Sequence, residues 1–117
     1  MKKFQTVDAE TLRRLLASDA ERPVLVNALA REAFDEERIP GSISIPVADA
    51  LRVAPAIMAL DQPIVVYCAS QSCTASPTLA QKLVDLGFTE VADFAGGIAE
   101  WQAAGLPLER TRELAAV

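Results

Sequence analysis

The chain has 117 residues, 51% of them hydrophobic, and its 16 acidic and 11 basic side chains give a formal net charge of −5. That length predicts a single domain over residues 1–117, and the acidic balance argues against nucleic acid as a partner, since phosphates call for a basic face. No apolar run approaches the roughly eighteen residues of a membrane span. Met1-Lys2-Lys3-Phe4 leads into polar residues rather than the apolar stretch of a secretory signal, so the chain reads as cytoplasmic with no membrane partner.

The predicted elements alternate between two periods. Phe4 to Val7 is a short strand, after which Asp8 caps a helix whose Leu12, Leu15 and Leu16 share one face. Val24-Leu25-Val26 is a brief apolar run of the kind buried on both sides in a parallel sheet. Residues 30 to 36 suit a short helix, Ser42 to Pro46 a strand closed by proline, and Ala48 to Met58 a helix interrupted near Pro55. Ile64-Val65-Val66-Tyr67 gives the strongest strand signal, followed by a small-polar loop and a helix from about Thr74 to Leu86. Pro77 fits that helix's first turn and Gly87 its end. Val91 to Phe94 forms the last strand, and Ile98 to Ala104 the last helix, stopping at Gly105. Strands alternating with helices predict an α/β fold with a parallel sheet, right-handed crossovers and helices on both faces.

The chain contains two cysteines, Cys68 and Cys73, and no histidine. Two thiols are too few for a secreted disulfide scaffold and supply too few ligands for zinc, so neither a metal nor a cofactor is expected. The missing histidine removes every Ser-His or Cys-His nucleophile pair. Chemistry therefore falls to a cysteine. In parallel sheets ligands bind at the carboxyl ends of the strands, which is where Cys68 stands. Ala69, Ser70, Gln71, Ser72, Cys73 and Thr74 form a compact loop between strand and helix, an expected anion cradle of backbone N–H groups beside a helix start. Such a setting is expected to lower the Cys68 pKa. The competing reading is an inert cysteine packed at a strand end.

Three stretches together resemble a single-domain rhodanese, a sulfurtransferase. They are Phe34 through Pro46 with its Ile39-Pro40-Gly41, the strand-loop-helix from Val65 through Cys68 to Leu83, and Gly96-Gly97-Ile98-Ala99-Glu100-Trp101 with Ala104-Gly105-Leu106-Pro107. The resemblance runs from about Phe4 to Leu108. It implies a rhodanese-like fold with a five-stranded parallel sheet and helices on both faces. It also implies that Cys68 takes a sulfane sulfur from a small donor, becomes a persulfide, and passes the sulfur to a thiol acceptor or another nucleophile, a protein thiol included.

The departures from the family pattern are specific. Asn27-Ala28-Leu29 stands where the family carries Asp-x-Arg, Arg38 where it carries histidine, and Ala69, Gln71 and Cys73 where its loop carries arginines and a glycine. With no cationic side chain at residues 69 to 73, weak use of thiosulfate is expected. Asn27, Arg38, Gly96 and Gly97 are candidate pocket residues. Arg38 is either a surface charge or a source of the positive field that the loop lacks, while the glycines suit a backbone turn. Trp101 and Phe94 are expected in the core or pocket wall. Cys73 is either a thiol that resolves the Cys68 persulfide or a packing residue at the helix base. The functional alternatives to sulfur transfer are a dithiol redox protein cycling Cys68 and Cys73, and a non-catalytic rhodanese-like binding or sensing module. A phosphatase would need an arginine where Thr74 stands, which sets that reading aside.

Overall fold

A computed structural model describes residues 4–111; the Met1-Lys2-Lys3 start lies outside them. Five strands form one sheet: β1 (Gln5–Thr6), β2 (Val24–Asn27), β3 (Ile43–Ser44), β4 (Ile64–Tyr67) and β5 (Val91–Phe94). Their order is β1-β5-β4-β2-β3, and every pairing is parallel. β4 occupies the centre, and all four of its residues are buried. Its uninterrupted apolar run follows from that position, because a central parallel strand is covered on both sides.

Alternate residues of the strands enter two cores. Val26, Ile64, Val66 and Val91 pack beneath α3 (Ala50–Ile57) and α4 (Ala75–Asp85). Leu25, Val65, Tyr67 and Phe94 pack beneath α1 (Ala9–Ala17) and α5 (Gly97–Ala103). Helices therefore cover both faces of the sheet. Trp101 of α5 meets Phe94 edge-on at 6.3 Å between ring centres, and its indole N–H donates to the Pro107 carbonyl at 2.8 Å. That hydrogen bond lets a polar-tipped ring sit in a core.

Local signals set the element ends. Asp8 caps α1, its Oδ1 accepting from the Thr11 N–H at 2.9 Å, and that hydrogen bond holds the Asp8 carboxyl below the usual range. α4 closes with paired hydrogen bonds, Gly87 N–H to the Val84 carbonyl and Phe88 N–H to the Leu83 carbonyl, with Gly87 at φ +105°. Only glycine takes that left-handed turn without strain.

Two expectations need correction. Pro55 does not interrupt its helix: α3 runs through it to Ile57, after a short 3-10 turn at Val47–Asp49. The proline lacks an N–H toward Leu51, a residue on the exposed side of α3, and the packed Ala50 and Ala54 hold the helix in place. The strand expected over 42 to 46 shortens to Ile43–Ser44, because only these residues align with β2 before Pro46 starts the next turn. The second helix, α2, spans Arg31–Glu36.

No helix among the described residues is long and apolar enough to cross a membrane.

Candidate functional site: the Cys68 loop

The register places Asn27 beside Tyr67 and Tyr67 beside Phe94, so the carboxyl ends of β2, β4 and β5 finish level. Cys68 is the next residue after β4. Its main chain is fixed from the side by the start of α5: the Ile98 N–H donates to the Cys68 carbonyl at 3.0 Å and the Ala99 N–H to the Ala69 carbonyl at 2.9 Å. Gly97 makes this approach possible. It sits at φ +59°, and a Cβ there would overlap the Cys68 carbonyl oxygen. Gly96 precedes it as the cap of α5, packed against the Glu100 side chain, whose Oε2 accepts from the Ala9 N–H at 2.7 Å. The two glycines thus join α5 to the cysteine loop on one side and to α1 on the other.

The loop then turns back on itself. The Cys73 N–H donates to the Ser70 carbonyl at 3.0 Å, Ser70 Oγ and Ser72 Oγ lie 3.1 Å apart, and Gln71 and Ser72 are exposed at the tip. Thr74 caps α4 without a side-chain hydrogen bond. Cys68 itself is 0% exposed, so nothing reaches it from bulk solvent without movement of the loop. Its Sγ lies 3.3 Å from Ser76 Oγ, 3.7 Å from the Cys73 carbonyl oxygen and 4.0 Å from the Ser70 carbonyl oxygen. Both cysteines are free thiols, and Cys73 is half-buried.

These contacts reverse the expected acidity of Cys68. Burial pushes the Cys68 thiol up and the Cys73 side chain adds to that; hydrogen bonds from the Ser76 side chain and backbone oppose it but do not prevail. The physical reason is burial first, because an enclosed sulfur loses the solvation that its charged form needs. For Cys73, burial acts upward too, but hydrogen bonds from the Cys68 thiol and from the Ala75 and Ala69 N–H groups outweigh it and hold Cys73 below the ordinary value. The anion-stabilising amides therefore converge more on Cys73 than on Cys68.

The remaining candidates occupy different ground. Asn27 is fully buried at the end of β2; its Oδ1 accepts from the Leu29 N–H at 2.9 Å, and its Nδ2 has no hydrogen-bond partner among the described residues. Arg38 is neither a surface charge nor a source of field for the loop, which corrects both expectations. It is 8% exposed, and its Nε bonds Glu109 at 3.0 Å. One of its terminal nitrogens donates to the Phe34 carbonyl at 3.2 Å and to Thr111 Oγ1 at 2.8 Å, while the guanidinium covers the Phe34 ring at 4.8 Å. A two-way backbone bridge between Arg38 and Glu109 completes the clasp. Its charge is spent on tying the 107–111 segment to α2.

Sequence reasoning passed over Ser76, which is fully buried two residues into α4 with its hydroxyl on the Cys68 sulfur. A serine in the first turn of the helix after the loop was the available signal. Tyr67 also went unassigned. Its hydroxyl accepts from the Ile39 N–H at 3.0 Å and shares a hydrogen bond with Ser42 Oγ at 2.8 Å. Burial keeps the phenol above its ordinary pKa, so Tyr67 stays protonated and props the residue 39–42 turn beside the site. Among the described residues no group of three or more potential metal ligands converges.

The chain as a whole is similar to known proteins. Residues 8–104 match the rhodanese-like domain family. The chain belongs to that family. Its relatives include the HTH-type transcriptional regulator Rv0324 of Mycobacterium tuberculosis, 36% identical over 101 residues that make up 86% of this chain and 42% of the relative. The chain thus spans less than half the length of that protein. Among solved structures, the BH2092 protein of Bacillus halodurans superposes with a TM-score of 0.84 at 27% identity, covering 92% of this rhodanese-like chain and 77% of the other. A thiosulfate sulfurtransferase from Pseudomonas aeruginosa superposes with a TM-score of 0.75 at 28% identity, covering 92% of this chain and 20% of its own length.

Proposed function

We propose that this rhodanese-like chain, a single domain over its length, moves a sulfane sulfur through a persulfide on Cys68 to a thiol or another nucleophile. The observation that carries this reading is the position of Cys68. It follows the central strand, its carbonyl is held by α5, and its sulfur is enclosed by residues 70 to 76. Kinship with a thiosulfate sulfurtransferase over nearly all of this chain supports the same reaction class. Attack of the Cys68 sulfur on a donor's outer sulfur breaks the donor's S–S bond and forms a new S–S bond on Cys68, and the donor's remainder leaves with the electron pair and takes up the proton that Cys68 gives up.

The loop's composition selects among donors. Residues 69 to 73 contain no arginine or lysine, and Arg38 is committed to Glu109. A dianionic donor therefore meets dipoles rather than charges, and charge-assisted hydrogen bonds are roughly twice as strong as neutral ones. Small polysulfides or persulfides suit the site better than thiosulfate. A protein that works through free thiols fits the cytoplasm, where they persist.

A second reading has its own support. The relative named as a transcriptional regulator favours a domain that senses sulfur species for a partner instead of turning them over. Steady-state kinetics with hydrogen polysulfide and an excess of low-molecular-weight thiol separates the two. Sulfur transfer predicts repeated turnover, slower with thiosulfate and lost by at least about a thousandfold in Cys68→Ser, the scale of removing a covalent nucleophile. One loading per chain with no turnover supports the sensor. Undiminished turnover in Cys68→Ser overturns the assignment of Cys68.

A further inference from the structure

A persulfide on Cys68 would be poorly placed to meet a bulky acceptor, because the residue is 0% exposed and its sulfur is enclosed by Ser70, Cys73 and Ser76. The loop nonetheless supplies a nucleophile of its own. The Ser70–Cys73 turn brings Cys73 back to the strand end it left five residues earlier, where its carbonyl oxygen lies 3.7 Å from the Cys68 sulfur. Cys73 is the more exposed of the pair. The Ser76 hydroxyl lies 3.3 Å from the Cys68 sulfur, but the chain has no histidine to serve it as a base.

We propose that Cys73 is the resolving thiol of this site: it attacks the Cys68 persulfide, releases hydrosulfide, and leaves a Cys68–Cys73 disulfide. The proposal rests on the sulfur-transfer reading given above, and it names the group that discharges the persulfide and the product. The Cys73 thiolate attacks Cys68 Sγ. The bond from Sγ to the outer sulfur breaks, and the outer sulfur departs with the electron pair and its proton as hydrosulfide. The sulfane sulfur is reduced to sulfide while the two cysteines are oxidised to a disulfide, so no oxidant is needed beyond the sulfur itself. Two equivalents of a low-molecular-weight thiol, or one protein dithiol, then return the pair to the reduced state.

Hydrogen bonds from the Cys68 thiol and from the amides of Ala75 and Ala69 hold Cys73 below the ordinary thiol value, which suits the role of attacking group. Proximity adds to it, because a thiol in the same loop attacks at a high effective concentration.

The test loads the full chain with hydrogen polysulfide, removes the excess, and follows the protein without added thiol by intact mass, peptide mapping and hydrosulfide release. In the native protein the Cys68 persulfide decays, one hydrosulfide appears per chain, and a species lacking two hydrogens and both free thiols accumulates. Cys73→Ser and Cys73→Ala retain a persulfide on Cys68 at least about tenfold longer, for want of the intramolecular thiol. Equal lifetimes in native and variant proteins with no disulfide overturn the proposal while leaving Cys68 as a sulfur carrier. Failure of native and Cys73 variants alike to take sulfur on Cys68 overturns the carrier reading, and this proposal with it.

Discussion

The two ends of the sheet divide space from chemistry. At the amino end, the starts of β1, β4 and β5 with Leu15, Glu21 and Pro63 surround a hollow of about 510 Å³. Among the described residues, no cysteine lines that hollow. At the carboxyl end, Cys68 is sealed by its own loop and by α5, with hydrogen bonds of 3.0 and 2.9 Å from Ile98 and Ala99 fixing the main chain on either side of the loop's entry. Volume marks binding sites for drug-sized ligands, but a sulfur atom is not such a ligand. Sulfur transfer needs a nucleophile, groups that set its proton, and a means of excluding competing nucleophiles. Among the described residues a cysteine stands at the tight end and none lines the roomy one.

Substitutions at the two ends sharpen the contrast. The largest expected effect is at Gly97, where a methyl group would overlap the Cys68 carbonyl and the backbone at φ +59° disfavours any side chain. Gly97→Ala is expected to cost about 1–3 kcal/mol from backbone strain alone, read as a fall in thermal midpoint, and to slow sulfur loading because Cys68 shifts with its carbonyl. Unchanged stability and loading would mean that α5 does not position the cysteine. The smallest expected effect is at the amino end. Ala20→Phe, which fills the hollow from an exposed turn, should leave sulfur loading within about twofold, the scale of a surface substitution of ~0.5 kcal/mol. A large loss of loading in that variant would bring the hollow into the reaction.

Much of this frame was legible in the sequence, for reasons that particular residues show. Ile64 to Tyr67 announces a central strand because burial on both sides demands four consecutive apolar residues. Gly87 announces the end of α4 because its turn needs positive φ. The position of Cys68 followed from these two local signals together. What stayed hidden depends on partners distant in the chain. Arg38 reads as a free charge until Glu109, seventy-one residues away, closes on it. Pro55 reads as a break until the packing of Ala50 and Ala54 offsets the lost hydrogen bond.

The acidity of Cys68 shows the limit most clearly. A loop of small residues can turn either its amides or its carbonyls toward a sulfur, and composition does not distinguish the two. Contacts from Ile98 and Ala99, thirty residues on, fix the carbonyls of Cys68 and Ala69. With those held, the N–H groups of Ala69 and Ala75 are directed to Cys73 while the carbonyls of Ser70 and Cys73 face Cys68. The lowered pKa expected for Cys68 falls to Cys73 instead.

The most direct test of the account locates the transferred sulfur. The protein is exposed briefly to hydrogen polysulfide, quenched by alkylation at low temperature, digested, and sequenced by tandem mass spectrometry. The account predicts an added sulfur on Cys68 in the native protein and in Cys73→Ser, and none on either cysteine of the native protein's matched control treated with sulfide alone. An added sulfur confined to Cys73, with Cys68 recovered as an unmodified thiol at every time point, would contradict it.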